Sequence, residues 1–157
     1  MTGTGILNQD QARAWRAFQR MSVSLATQIH RNLMMETGLS LPDYEVLSAL
    51  AEAPTGVLRA FELGAEIQWE KSRLSHHMKR MEARGLVERV VCESDGRGLW
   101  VSLTPAGRLA IEKAAPVHQE DVRQLMVDAL TADQLASLAE ISEKVLAGIP
   151  SNQDPCD

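Results

Sequence analysis

The sequence predicts a mainly α-helical chain carrying one small β-hairpin, and three observations predict it. Apolar residues recur at three- and four-residue spacing through most of the chain, helix start and stop signals bracket those runs, and one central stretch alternates around glycine-rich turns. At 157 residues and 45% hydrophobic content, the chain can build one ordinary domain, or a domain with an arm.

The first element runs from Gln11 to Met35, where Trp15, Phe18, Met21, Leu25, Ile29 and Leu33 form one apolar stripe and Gly38 supplies a stop. Ser40-Leu41-Pro42-Asp43 reads as a capping box with proline in the first turn, opening a helix that must end near Pro54. Pro54 to Leu58 reads as a connector. Arg59 to Ile67 is a short, partly apolar helix, broken at Gln68-Trp69. Gly64 inside it costs about 1 kcal/mol relative to alanine, which points to close packing at that position.

The next helix is basic. Glu70 opens it with an acid beside unpaired amides, Leu74, Met78 and Met81 give it an apolar face, and Gly85 ends it. Ser72, Arg73, Ser75, His76, Lys79 and Arg80 occupy the other side. From Lys71 to Arg89 there are six Lys/Arg against two acids, a local +4 in a chain whose net charge is -5. Such a concentration suits phosphate neutralisation and counterion release, and these side chains can reach base edges in a major groove. A charge run alone is more often a solvated helix face.

The hairpin decides between those readings. Leu86 to Cys92 and Leu99 to Leu103 are Val-rich and partly alternating, and Asp95-Gly96 and Arg97-Gly98 between them are turn signals. Arg97 therefore stands at a hairpin tip, where an arginine can enter a minor groove. Helix, turn, basic helix, strand, hairpin, strand is the order of a winged helix-turn-helix. Beyond it, Thr104-Pro105 opens a long helix that Pro116 is expected to kink or divide. Thr131-Ala132-Asp133-Gln134 is another capping box, with Leu135, Leu138, Ile141 and Val145 continuing an apolar face to Gly148-Ile149-Pro150. From Leu109 onward there are three bases and nine acids, so this part is not the DNA surface.

These residues resemble the multiple-antibiotic-resistance regulator (MarR) family of bacterial transcription factors. The marks are Glu62-Leu63, the run RMEARGLVER that ends the basic helix, Asp95-x-Arg97, and Leu103-Thr104-Pro105-Ala106-Gly107. The resemblance spans about residues 8–148 and is most specific from Phe61 to Gly107. It implies an obligate homodimer on a pseudo-palindromic double-stranded operator, with the basic helices in successive major grooves and wing arginines in the flanking minor grooves. Under it, Ser72, Arg73, Ser75, His76 and Lys79, joined by Arg80, become groove and phosphate contacts, Arg97 the wing contact, and Asp95 a brace for the wing. Many members carry arginine where this chain has His76, which implies a weaker or pH-dependent contact there.

The expected organisation is an N-terminal dimerisation helix over 8–37, a DNA-binding lobe over 38–103, C-terminal dimerisation helices over 104–150, and a flexible tail over 151–157. The resemblance further implies a repressor released by a small aromatic effector seated between arm and reader. Trp15, His30, Met34, Tyr44 and Trp100 are the candidate lining residues, each also an ordinary core residue by type. No cofactor, metal or catalytic group is expected, because the chain holds no phosphate-cradling glycine motif, metal-spaced pair or nucleophile elbow. His77 faces Leu74 and Met81 and reads as a packed or hydrogen-bonded side chain. Cys92 and Cys156 build no disulfide framework, and no apolar run or signal-peptide pattern points to a membrane, so a cytoplasmic location is expected. The alternatives are a winged-helix module that meets an acidic protein, or a regulator controlled by metal or by Cys92 oxidation.

Overall fold

The structure, a computed structural model, describes residues 6–91 and 99–150. Among the described residues, six α-helices and three short strands follow one another as α1 (Gln9–Thr37), α2 (Leu41–Glu52), β1 (Val57–Arg59), α3 (Ala60–Glu66), α4 (Lys71–Ala83), β2 (Val87–Val91), β3 (Leu99–Leu103), α5 (Pro105–Val122) and α6 (Ala132–Ala147). The mainly α fold with a small sheet is the one expected.

Local chemistry sets the ends of these helices. Asn8 and Gln11 close a capping box on α1, and Gly38 ends it at φ 74, a left-handed value that favours glycine. Ser40 and Asp43 close the box on α2, with Pro42 in its first turn. Thr104 caps α5, its hydroxyl accepting from the Gly107 amide at 3.0 Å and donating to the Gly85 carbonyl at 2.5 Å. Thr131 and Gln134 close the box on α6.

Two expectations are corrected. Part of the stretch read as a connector is β1, an edge strand antiparallel to β3 in the order β1-β3-β2, with Leu58 opposite Val101. A three-residue strand is too short to show alternation, and its partner lies more than 40 residues away in the chain. Pro116 does not divide α5, which continues to Val122. After Val122 the helix gives way to a π-helical turn at Arg123–Val127, closed by the Asp128 amide on the Arg123 carbonyl at 2.8 Å.

The core gathers beneath the reader. Leu33 of α1, Val46, Leu47 and Leu50 of α2, Leu63 of α3, Met81 of α4 and Val101 of β3 are fully buried, and Ile111 and Ala114 of α5 join them. Asn32 also ties α1 to α5, donating to the buried Asp121 carboxylate at 2.7 Å. At Gly107 the backbone approach is extreme. A Cβ there would stand 1.9 Å from the Leu86 carbonyl oxygen, so no larger residue fits this crossing of α5 over the start of β2. The far ends of the long helices lack such cover: Trp15, Phe18 and Met21 of α1 and Ile141, Val145 and Leu146 of α6 are exposed. Among the described residues no helix is long and apolar enough to cross a membrane.

Candidate nucleic-acid interface

The turn between α3 and α4 is built for a tight crossing. Gln68 takes a positive φ of 57, the Trp69 amide donates back to the Gly64 carbonyl at 2.9 Å, and a Cβ on Gly64 would sit 3.3 Å from the Trp69 carbonyl oxygen. Gly64 thus marks close packing, as its cost inside a helix suggested. Glu70 occupies the N-cap of α4, though its side chain makes no cap hydrogen bond. Gly85 ends the helix at φ 71, with the Leu86 amide on the Met81 carbonyl at 3.0 Å.

Leu74, His77, Met78 and Met81 form the buried face of α4, while Ser72, Arg73, Ser75, His76, Lys79 and Arg80 are exposed. At about 100° per residue, Ser72, Ser75, His76 and Lys79 lie within about 60° of one outward direction. Arg73 and Arg80 lie about 80–100° round from Ser72, on a flank. Both are engaged there: the Arg73 guanidinium stacks 3.9 Å above the Trp69 ring, and Arg80 Nη2 donates to His77 Nδ1 at 2.9 Å. The single polar face expected from the sequence is thus two surfaces, an outward row and a braced arginine pair.

A buried carboxylate anchors the helix from behind. Asp43, on the first turn of α2, accepts from Arg84 Nη1 at 2.7 Å and from the Ser40 amide at 2.9 Å. His77 Nε2 lies 3.0 Å from its Oδ1 with the N–H directed off the oxygen, an electrostatic contact short of full hydrogen-bond alignment. Burial alone would raise the Asp43 pKa, but His77, Arg84 and Ser40 outweigh it and hold the carboxyl well below the usual carboxylate range. Arg84 also reaches the Gly38 carbonyl at 3.4 Å, so the end of α1, the start of α2 and the end of α4 meet at one point. Of the six bases between Lys71 and Arg89, Arg84 is spent on Asp43 and Arg89 on Glu82 at 2.8 Å.

Sequence reasoning treated Asp43 only as the last residue of a capping box, and Trp69 only as part of a break. Their roles arise from partners distant in the chain. Asp95, Arg97 and Cys92 lie outside the described residues.

Two clefts border the reader. The first, of about 730 Å³, is lined by Met34, Trp69, Arg73, His77, Arg80 and Arg84, among others. The second, of about 500 Å³, lies between α1, α2, α3 and α5 and includes Tyr44, whose ring stacks on His118 at 4.2 Å. Burial raises the Tyr44 pKa and lowers that of His118. The five candidate effector residues are not brought together within one chain. Met34 belongs to the first cleft and Tyr44 to the second, Trp15 stacks on Phe18, His30 Nδ1 accepts from the Leu41 amide, and Trp100 lies under the Arg59 guanidinium. Scattered positions along α1, α2 and β3 looked equivalent in the sequence only because residue type carries no distance. Among the described residues no cluster of three His, Cys, Asp or Glu is arranged to hold a metal ion.

A helix-turn-helix whose second helix is exposed and basic, backed by a three-stranded antiparallel sheet that includes the wing strands, defines a winged helix-turn-helix protein. The family model described as the MarR family matches residues 37–98. Over 98% of its length the chain superposes on 96% of Sco3205 from Streptomyces coelicolor, a MarR family transcriptional regulator solved in complex with DNA, at TM-score 0.90 and 34% identity. AbsC from the same organism, another MarR family regulator, matches at TM-score 0.87 and 34% identity, over 92% of this chain and 97% of that one. The HTH-type transcriptional repressor Mb2911 of Mycobacterium bovis is 31% identical over 109 residues, 69% of this chain and 76% of that protein. The chain belongs to the MarR family of transcriptional regulators.

Proposed function

We propose that the chain works as a homodimer on a pseudo-palindromic duplex operator. The outward row of α4, Ser72, Ser75, His76 and Lys79, enters the major groove, and Arg73 and Arg80 take phosphates along its edge. The observation that carries this reading is that row itself: four exposed polar or basic side chains on a helix whose opposite face is locked into the core. The similar regulator Sco3205 was solved with DNA bound, which supports the same use of the fold here. Arg97, with Asp95 bracing it, is assigned to the adjacent minor groove on the sequence pattern alone.

The dimer arm consists of α1, α5 and α6, around the 38–103 reader. Exposed Trp15, Phe18 and Met21 at one end and Ile141, Val145 and Leu146 at another are large apolar side chains that a second copy would cover. Repression released by a small molecule is the mode of control, supported by the naming of one relative as a repressor and by the two clefts that border the reader. Selection of bound duplexes from random DNA tests the whole reading. Two half-sites separated by about one helical turn are expected, and no enriched sequence at low salt would refute it.

A further inference from the structure

The outward residues of α4 present themselves by exposure alone, but the flank pair is held in place, and the holding group is an unusual one. His77 is 7% exposed and sits in the apolar row of α4, at a position where Leu74, Met78 and Met81 would lead one to expect another aliphatic residue. Its ring meets Trp69 edge-on at 5.2 Å, and Trp69 in turn carries the Arg73 guanidinium on its face. An arginine can only donate, so the Arg80 bond fixes His77 Nδ1 as acceptor and leaves the ring hydrogen on Nε2, the atom beside Asp43. One imidazole thus has two separable tasks. Nε2 faces the buried anchor on α2, and Nδ1 faces outward to a guanidinium at the edge of the candidate DNA surface.

We infer that His77 is a positioning residue for operator binding: its Nδ1 lone pair holds Arg80 in the orientation that meets a backbone phosphate at the groove edge. A free arginine must give up side-chain rotamer freedom when it docks. Arg80 has already surrendered much of it to His77, as Arg73 has to Trp69. Both arginines remain exposed and keep further N–H donors for a phosphate, because a guanidinium carries five and the His77 bond uses one. The charges facing the imidazole are Asp43 from α2, Arg80 on α4 itself and Arg84 at the end of α4, with Arg73 across the Trp69 ring. This inference rests on the operator reading above.

Two near-isosteric replacements separate the two nitrogens. His77→Asn places an amide oxygen close to the Nδ1 position and keeps an acceptor for Arg80. His77→Gln can place an amide N–H near Nε2 to face Asp43, while leaving Arg80 without its acceptor. With the duplex enriched by selection, His77→Gln is expected to weaken binding about two- to tenfold per half-site, the scale of re-ordering one long side chain, with the salt slope unchanged. His77→Asn should stay within about twofold of the parent chain, a difference below that same scale. In an Arg80→Ala background, which itself lowers the salt slope by about one, His77→Gln should have no further effect. Asn and Gln variants that weaken binding equally would overturn the assignment, as would a His77→Gln effect that persists without Arg80. Either result would leave His77 a packing residue. If the parent chain binds no duplex, the operator reading itself fails, a different result from a parent that binds while the two variants behave alike.

Discussion

Asp43→Ala is the sharpest test of how the reader is held together. The Asp43 side chain is 3% exposed and bridges three groups, so its removal has consequences that can be apportioned. Arg84 is 45% exposed at its side chain and turns to water at little cost. His77 has no such escape: its buried Nε2–H, already short of hydrogen-bond alignment, also loses the carboxylate 3.0 Å away, a cost within the about 1–3 kcal/mol of an uncompensated buried polar group. The α2 capping box also loses its reciprocal bond to the Ser40 amide, about 1 kcal/mol. The sum is about 2–4 kcal/mol, below the 3–5 kcal/mol typical of breaking a fully buried ion pair, because one partner is half in water. For a chain of this size each kcal/mol moves Tm by about 2–4 °C, so a drop of about 5–15 °C in thermal unfolding at fixed protein concentration is expected. The pH dependence has a definite sign. The folded-state pKa of Asp43 is depressed, so its ionised form stabilises the fold above the unfolded value of about 3.9 and that contribution is lost as pH falls below it. The gap between parent and variant should therefore be full at neutral pH, begin to narrow near about pH 4, and close only as pH falls through the depressed folded-state value. A loss under about 0.5 kcal/mol at pH 7, the range of ordinary surface changes, would refute the account.

Other predictions follow from the same contacts. Gly107→Ala drives a methyl into the Leu86 carbonyl, and a loss of at least about 1–3 kcal/mol is expected in urea unfolding, whereas unchanged stability would mean that α5 crosses β2 less closely. Lys79→Ala should lower the slope of log affinity against log salt by about one without altering Tm, since the side chain is exposed on the outward row. Trp15→Glu, on the exposed end of α1, should shift sedimentation at micromolar concentration from dimer toward monomer, and an unchanged dimer would move the interface elsewhere.

What could be read in the sequence was whatever is encoded by short-range spacing. Helix α4 was legible from Gly85 and the Leu74-Met78-Met81 row, and the starts of α2, α5 and α6 from Ser40, Thr104 and Thr131, because a cap and its partner lie three residues apart. The packed or hydrogen-bonded reading of His77 also held. Its anchor did not show, since Asp43 lies 34 residues upstream and Arg84 meets it across 41. Nor did the split between outward row and flank: a one-dimensional pattern separates apolar from polar positions, but it cannot say that Trp69 and His77 draw two of the polar ones aside. Strand β1 escaped for the same reason as Asp43, its identity residing in Trp100, Val101 and Ser102 on the far side of the reader.

The separation of faces on α4 has a consequence for how such a protein could change its target. Every side chain that fastens the helix, from Leu74 and Met78 to His77 on Asp43, lies on the inward half, while Ser72, Ser75, His76 and Lys79 are exposed on the other. Replacing those four would alter stability by no more than about 0.5 kcal/mol each. The helix is in that sense an exchangeable cassette, in which new operator preferences can be explored one exposed residue at a time with the fold left intact.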